Sequence, residues 1–272
     1  MRWEEKGGGD FMSSSISVII PNYNHAQFLD RRIRSVLEQT RQPLEVVILD
    51  DCSTDESLRV IQRYADHSCV KVVRNQHNSG SPFKQWNLGV RMASGDFIWI
   101  AESDDDAEPW LLETLASSLD EDTSAVLSYC QSQTINEFGQ SDGTIDRRFD
   151  CLSPGRWRTD FKNDGFDECA RFLLHFNTIP NASAVLFRRN AYLAAGLADE
   201  TMRICGDWMM WARISLLGKI CYSATTLNKF RIHSGSVCGT ETHARAIEEE
   251  NRVQAFISSF VFAASQTQVF MA

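Results

Sequence analysis

The run FIWIAESDDD, residues 97–106, joins five apolar residues to a group of acids. From Glu102 to Glu108 there are five carboxylates in seven residues. The apolar part has the length and composition of a buried strand. The acidic segment after this strand is either a solvated loop or a site for a divalent cation, and the rest of the chain bears on that choice.

Similar short apolar runs recur along the first half of the chain, separated by segments with helical periodicity. The runs do not alternate between apolar and polar residues, which indicates a sheet covered on both faces. This order predicts an α/β fold with a Rossmann-like, mostly parallel central sheet flanked by helices. The predicted strands are ISVIIP (16–21), LEVVILD (44–50), VKVV (70–73), FIWIA (97–101) and AVLSYC (125–130).

Polar residues follow several of these strands at the point where each one ends. Ligands of parallel sheets bind beyond these carboxyl ends. The first strand is followed by Pro21-Asn22-Tyr23-Asn24, and neither a P-loop nor a G-x-G-x-x-G motif is present to hold phosphate. A nucleotide bound here would need another source of positive charge, so the acids predict a divalent metal, Mn²⁺ or Mg²⁺.

An EF-hand is one alternative explanation of the acids. Those at 102, 104, 106 and 113 have the required spacing. However, Ala107 occupies the position of the invariant glycine, and Pro109 falls within the loop. Two adjacent carboxylates at a strand end instead suit a hard cation that also binds phosphate oxygens.

The composition sets limits on the partners and the compartment. The chain has 272 residues, 43% hydrophobic and 23% charged, with a net charge of −9 at pH 7. This acidic balance argues against a nucleic-acid partner. The eight cysteines contain no C-x-x-C pair, and no apolar run approaches the ~18 residues that span a bilayer. We expect free thiols and a cytoplasmic protein, since no signal peptide is visible.

The chain divides into four segments in this interpretation. Residues 1–14 are a Gly- and Ser-rich leader, expected to be flexible. Residues 15–130 hold the regular alternation, and 131–240 form a looser, mixed half with strand-like KICYS (219–223) and LNKFRIH (227–233). Residues 241–272 are a helical tail, which either packs on the body or contacts a membrane or a protein partner.

Several motifs, in this order, resemble the inverting family 2 glycosyltransferases with the GT-A fold. They are SVIIPNYNHAQFL (17–29), VVILDDCSTDES (46–57), NSGSPFKQWNLGVRMASGDFIWIAESDD (78–105), GDWMMWARI (206–214) and FRIHSGS (230–236). The resemblance implies transfer of a sugar from a nucleoside-diphosphate sugar, with a UDP-sugar as the expected donor. It makes 15–130 the donor-binding half and 131–240 the half with the acceptor site and the catalytic base.

The resemblance also implies the acceptor and the cellular setting. The acceptor would be a hydroxyl of a saccharide, a lipid-linked or a protein-linked glycan, in glycan or polysaccharide assembly. The enzyme would work in the cytoplasm or at the inner face of the membrane.

The same resemblance assigns roles to the donor-site residues. Pro21 and Tyr23 would wall the base pocket, and Asp50 or Asp51 would bind the base. Lys84 would contact a phosphate or the base, although a surface lysine is the simpler interpretation.

Glu102-Ser103-Asp104-Asp105 corresponds to the D-x-D-like motif of the family. The resemblance implies that Asp105 binds the metal and that Asp104 lies near the ribose or the metal. His233 would reach the metal or the diphosphate, with a structural histidine as the alternative. The remaining histidines have no partner pattern and receive no role: His25, His67, His77, His175 and His243.

Asp207 would be the general base of the reaction. Gly206 stands where the family usually has a glutamate, so one carboxylate remains in this motif. Helix capping is the alternative role for Asp207. The neighbouring Trp208 and Trp211 fit either the core or a wall of the acceptor site.

Two other functions remain open at this level. A nucleotidyltransferase also uses a Rossmann-like sheet and metal, but a Gly-rich basic loop is expected after its first strand. A non-catalytic nucleotide- or carbohydrate-binding module would need no base such as Asp207.

Overall fold

The computed structural model describes residues 13–235 and 242–270, with side chains in the last segment described up to residue 263. Most of the predicted leader, 1–12, and the predicted boundary at residue 240 lie outside the described residues. Ser14 at the end of the leader donates a hydrogen bond to Asp120 (2.6 Å), and Ser15 donates one to Asp96 (2.7 Å). The division into halves stays a prediction.

Within the described residues, ten strands form one sheet. They are β1 (Ile16–Asn22), β2 (Glu45–Asp50), β3 (Val70–Arg74), β4 (Phe97–Ile100), β5 (Asp106–Ala107), β6 (Ala125–Ile135), β7 (Ser141–Thr144), β8 (Phe161–Asp164), β9 (Val185–Arg188) and β10 (Lys219–Arg231). The order is β3-β2-β1-β4-β9-β6-β10-β5, with β7 on β6 and β8 on β10. Strands β1–β4, β6 and β10 run in one direction, which confirms a mostly parallel sheet.

Helices cover both faces of this sheet. They are α1 (Ala26–Leu37), α2 (Ser57–Gln62), α3 (Pro82–Met92), α4 (Leu111–Glu121), α5 (Gly165–Glu168), α6 (Arg189–Ala194), α7 (Gly206–Ser215) and α8 (His243–Phe270). The apolar residues of α1, α2 and α4 share one core cluster, and those of α3, α6, α7 and α8 share the other. The predicted α/β class with helices on two faces is therefore confirmed.

The side chains of β1 show how one strand serves two cores. Val18 and Ile20 belong to the cluster beneath α1, while Ile19 belongs to the cluster beneath α3. Successive side chains of a strand point to opposite faces, so a strand covered on both sides must be apolar throughout. Helix α3 approaches β1 closely at Gly89, where a Cβ atom would lie 2.5 Å from the Ile19 side chain.

The second half differs from its predicted elements. KICYS and the first five residues of LNKFRIH are not two strands but parts of β10, whose pairing with β6 shifts register between Ser223 and Thr226. Ile232 and His233 lie beyond the end of this strand. Strand β6 continues past the predicted end at Cys130 to Ile135. Strand β9 runs antiparallel between β4 and β6, so the two halves share the sheet.

The C-terminal helix packs on the body of the protein. Val253 and Ile257 of α8 are fully buried in the cluster that includes α7. Phe260 and Phe262, further along, are exposed. No helix within 13–235 and 242–270 has the length and apolar character needed to cross a membrane. Contact of this tail with a membrane or a partner stays a prediction.

The predicted free thiols concern seven described cysteines and Cys238, which lies outside the described residues. None of the seven described cysteines forms a disulfide: Cys52, Cys69, Cys130, Cys151, Cys169, Cys205 and Cys221.

Candidate functional site

A cavity of about 210 Å³ opens at the carboxyl ends of β1, β2 and β4. The adjacent strands are parallel, so the residues that follow them meet at one edge of the sheet. Pro21, Tyr23, Asp51 and Glu102 line the cavity, as the positions of these residues at strand ends predict. The side chain of Tyr23 is 45% exposed, which leaves its ring accessible at the cavity.

Asp50 and Asp51 are adjacent in sequence but have different surroundings. Asp50 is fully buried, accepts hydrogen bonds from Asn22 Nδ2 (3.0 Å) and the Ser53 N–H (3.1 Å), and does not line the cavity. Asp51 lines the cavity and accepts hydrogen bonds from the side chains of Asn75 (2.6 Å) and Ser79 (2.7 Å). Of the two acids, Asp51 is the one at the cavity.

The segment before and within α3 gives the cavity a different residue from the one predicted. Lys84 does not line the cavity; its Nζ donates to the Ser79 carbonyl (3.1 Å). Gln85 lines it instead and donates to Asp51 (3.0 Å). Since successive residues of a helix point about 100° apart, a pattern based on residue type alone misses such a difference. Arg203, before α7, also lines the cavity and was not predicted.

The acids after β4 point in different directions. Glu102 faces the cavity, where Trp86 Nε1 donates to its Oε1 (2.7 Å). Burial and the nearby Asp104 raise the pKa of Glu102 to about 8. Asp105 is 1% exposed and lies 3.9 Å from Arg32, which is itself fully buried.

The partners of Asp105 belong to the fold. Asn181 Nδ2 donates to Oδ2 of Asp105 (3.0 Å), and the backbone N–H of Arg231 donates to Oδ1 (2.8 Å). The Arg231 guanidinium binds the Asp104 carbonyl (2.6 Å), so this arginine holds the acidic loop in place. The predicted metal-ligand role of Asp105 stays a prediction, and the structure gives both of its oxygens other partners.

Asp104 lies in a cluster with His25 and His233. One potential ligand atom from each residue lies within 4.8 Å of the others. Nε2 of His233 is 3.1 Å from Oδ2 of Asp104, and Nδ1 of His25 is 2.8 Å from the Ser103 hydroxyl. Burial would raise the pKa of Asp104, but the hydrogen bond with His233 and the two imidazoles outweigh burial and lower it.

The donor atoms of this cluster fit a divalent ion. One carboxylate oxygen and two imidazole nitrogens form a mixed set that Mn²⁺ accepts more readily than Mg²⁺, which prefers oxygen alone. With Nδ1 of His25 engaged by Ser103, Nε2 is the nitrogen that could bind an ion. An opening of about 370 Å³ reaches His233 and shares Tyr23 and His25 with the first cavity. The sequence missed His25, although it follows β1 at the same edge of the sheet.

Asp207 lies in the first turn of α7. The Trp208 N–H donates to its Oδ1 (2.6 Å), and Asn177 Nδ2 lies 3.4 Å from its Oδ2. The N-cap position is Cys205, so Asp207 does not cap the helix. The carboxylate is half-buried, and burial raises its pKa to about 7.

Close packing fixes the start of α7 against α3. A Cβ atom on Gly206 would lie 2.4 Å from the Phe83 ring, so the glutamate expected before Asp207 has no space here. Trp86 joins the two regions of the site, because it bonds to Glu102 and packs on Trp211 with ring centroids 5.8 Å apart. Trp208 and Trp211 are both buried, which places them in the core.

A larger groove of about 560 Å³ lies between α1 and the β6–β7 hairpin. It is lined by Arg31, Gln133, Phe138 and Lys229 among others, and by none of the predicted site residues. It shares Gln27 with the opening beside His233 and is therefore its neighbour.

Known proteins resemble this chain in sequence and in fold. The family model described as Glycosyl transferase family 2 matches residues 17–191. The chain is 35% identical over 113 residues to poly(ribitol-phosphate) beta-N-acetylglucosaminyltransferase TarS of Staphylococcus aureus, an alignment covering 41% of this chain but only 20% of TarS. It is 26% identical over 245 residues to an uncharacterized glycosyltransferase of Haemophilus influenzae, covering 87% of this chain and 72% of that protein.

The fold of the chain also resembles that of a solved structure. A crystal structure of S. aureus TarS 1–349 in complex with UDP-GlcNAc superposes with a TM-score of 0.72 at 20% identity, covering 89% of this chain and 66% of that chain. The resemblance at this level of identity concerns the GT-A fold.

Proposed function

The chain belongs to glycosyl transferase family 2, and we propose that it transfers a sugar from a nucleoside-diphosphate sugar to an acceptor hydroxyl with inversion. It is a glycosyltransferase by family, while the donor, the metal and the stereochemistry are our proposals. The observation that carries them is the cavity at the ends of β1, β2 and β4, which adjoins the cluster of His25, Asp104 and His233.

We propose a UDP-sugar as the donor. The TarS structure of the same fold holds UDP-GlcNAc, which supports this class of donor for the related cavity. Tyr23 and Pro21 offer an apolar wall for a base, and Asp51 offers a carboxylate beside it. Arg203 and Gln85 add a cation and an amide to the lining. Contacts of Asp50 and Lys84 with the donor remain predictions.

His25, Asp104 and His233 are the residues that we propose hold a divalent metal. Such an ion supplies positive charge to the departing diphosphate as a Lewis acid. Asp105 and Arg32 support this site indirectly, because they hold the loop that carries Asp104 in place. Of the predicted metal residues, Asp104 and His233 belong to this proposed set, His25 is added, and the role of Asp105 stays a prediction.

Asp207 is the proposed general base. A base is most effective when its pKa lies near the working pH, and the raised pKa of Asp207, about 7, satisfies this condition. The ionised carboxylate would take the proton of the acceptor hydroxyl as the new glycosidic bond forms. A single displacement on the face opposite the leaving group inverts the anomeric carbon and requires no covalent intermediate on the protein.

The acceptor is proposed only as a class. A saccharide, or a lipid-linked or protein-linked glycan, fits a glycosyltransferase of this family. Its binding surface would be formed by the half of the protein that carries Asp207.

The test of this function is a screen of nucleotide-sugars for release of the nucleoside diphosphate, with Mn²⁺ present. Asp207→Asn should lose release by ~10²–10⁴-fold while UDP binding, measured by calorimetry, stays near that of the wild type. Asp66→Asn, at an exposed position, is the matched control. Release of pyrophosphate from a nucleoside triphosphate supplied together with a sugar 1-phosphate would instead identify a nucleotidyltransferase. Binding of a nucleotide-sugar without any product would identify a binding module.

A further inference from the structure

Glu249 of α8 binds the segment that leads into α7. It is 2% exposed, and its two oxygens accept three consecutive backbone N–H groups. The Arg203 N–H donates to Oε1 (2.8 Å), and the N–H groups of Ile204 and Cys205 donate to Oε2 (2.8 and 2.9 Å). Arg245, one turn earlier on α8, donates to Oε1 (3.2 Å).

This contact lies between two parts of the proposed active site. Arg203 lines the proposed donor cavity, and Asp207 lies two residues after Cys205 in the sequence. Cys205 is the N-cap of α7, so Glu249 places its charge at the start of that helix, where the helix dipole favours an anion. The next residue, Gly206, packs closely on the Phe83 ring of α3. The segment is therefore held by contacts with both α8 and α3.

The surroundings of Glu249 favour its ionised form. Burial would raise its pKa, but the N–H groups of Cys205, Ile204 and Arg203 and the Arg245 side chain outweigh burial and lower it. An ionised Glu249 also repels the charged form of Asp207, and this repulsion adds to the burial that raises the pKa of Asp207. The two carboxylates are thus linked both through the backbone and through charge.

We propose that Glu249 is a positioning residue for the transfer reaction, holding Arg203 at the donor cavity and Asp207 at the start of α7 from the C-terminal helix. This inference rests on the proposed role of Asp207. Glu249 lies beyond residues 17–191, the part that the family model matches, so α8 contributes to the site from outside that region.

The experiment compares Glu249→Gln with Glu250→Gln in the full chain. Glu250 is the next residue of the same helix and is exposed, so its variant makes the same change of charge without touching 203–205. Two quantities are measured: the titration midpoint of the Asp207 carboxyl by ¹³C NMR, with the signal identified by its loss in Asp207→Asn, and kcat/KM for UDP release from UDP-N-acetylglucosamine.

We expect the Asp207 midpoint of Glu249→Gln to move below its wild-type value of about 7, because a nearby negative charge is lost. We expect kcat/KM to fall by about ten- to a hundredfold, since small displacements of a catalytic group have effects of this size. Glu250→Gln should match the wild type in both. A Glu249→Gln protein with a lower melting temperature but an unchanged midpoint would overturn the proposal, because it would show a purely structural role.

If Glu249→Gln does not fold, Glu249→Asp takes its place. The shorter side chain keeps the charge but withdraws it from the three N–H groups, so kcat/KM should fall and the midpoint should move less. Wild-type kcat/KM in Glu249→Asp would overturn the proposal. If Asp207→Asn itself keeps UDP release, the base assignment fails instead, and the NMR titration still reports whether Glu249 and Asp207 are linked.

Discussion

Asp104 and Asp105 are adjacent in sequence but have different surroundings. Asp104 is half-buried and lies beside two imidazoles. Asp105 is buried next to the charge of Arg32, and its oxygens bind Asn181 and the backbone of Arg231. A buried charge needs such partners, because an isolated one is costly in the protein interior. The two carboxylates should therefore respond differently to the same substitution.

Asp104→Asn is expected to abolish Mn²⁺ binding with little loss of stability. Asp105→Asn leaves the Arg32 charge without its carboxylate and should cost about 3–5 kcal/mol in the free energy of unfolding. Mn²⁺ titration followed by electron paramagnetic resonance in the presence of UDP, together with urea unfolding, measures both effects. Loss of Mn²⁺ binding in a stable Asp105→Asn protein would show that Asp105 is a ligand of the metal.

If Asp207 is the general base, as proposed, its ionisation sets the pH dependence of the reaction. Its pKa is raised to about 7, and the proposed base acts in its ionised form. The rate should therefore be constant well above pH 7 and fall about tenfold per pH unit below it. The measurement is kcat for UDP release between pH 5 and 9, with UDP affinity determined at each pH as the control. A rate that stays constant down to pH 5 would exclude Asp207 as the base.

At the scale of elements, strand β2 begins with a buried acid. Glu45 is 3% exposed and accepts hydrogen bonds from Lys71 (2.6 Å), from Ser17 (2.7 Å) and from both the hydroxyl and the N–H of Ser94 (2.6 and 2.7 Å). Burial would raise its pKa, but these bonds outweigh burial and lower it to about 2. The carboxylate thus joins the starts of β1, β2 and β3 to the end of α3.

Glu45→Gln should lower the free energy of unfolding by about 2 kcal/mol at pH 7. Because the folded pKa lies below the unfolded value of ~4.3, this stabilisation is complete above about pH 5 and is lost as the pH falls towards 2. Urea unfolding at pH 7 and pH 3.5 should show a smaller difference between variant and wild type at the lower pH. Glu38→Gln, an exposed position at the end of α1, is the control. An equal difference at both pH values would contradict the role of the ionised carboxylate.

The elements that could be predicted from the sequence are those with strong local patterns. Buried strands such as FIWIA are apolar throughout, and α1 places Leu29, Ile33 and Val36 on one face, so both are visible without tertiary information. The sequence predicts two strands in place of β10, because the exposed and bulged centre of this strand near Thr225 lacks a strand pattern. The pairing that makes it one strand comes from β6, far away in sequence.

The residues of the site likewise separate into those that the sequence could predict and those that it could not. Tyr23 and Asp51 follow strands, so their place at the cavity could be predicted from topology. The direction of a side chain within a loop or a helix could not, which explains why Gln85 and not Lys84 lines the cavity. His25 joins Ser103, Asp104 and His233 only when the segments after β1, β4 and β10 meet, and none of these segments carries that information alone.

At the scale of the whole molecule, the sheet passes through both predicted halves. β9 comes from the second half and lies between β4 of the first half and β6, which spans the boundary at residue 130. Arg32 of α1 also crosses this division, because its Nη2 contacts the Ser183 hydroxyl (3.2 Å). The proposed donor cavity and the proposed base therefore share one sheet, and we expect the halves to unfold together.

This expectation can be tested with one buried isoleucine from each half. Ile48→Ala in β2 and Ile220→Ala in β10 each remove a fully buried side chain and should cost about 2–5 kcal/mol. If the halves unfold together, calorimetry should show a single transition in each variant. This transition should lie at a lower temperature than that of the wild type, and its calorimetric and van't Hoff enthalpies should be equal. Leu44→Ala and Leu217→Ala, at positions 55% and 48% exposed in the same halves, should shift the transition far less. Two separate transitions, of which each isoleucine variant moves only one, would show that the halves fold independently and that the active site joins two separate units.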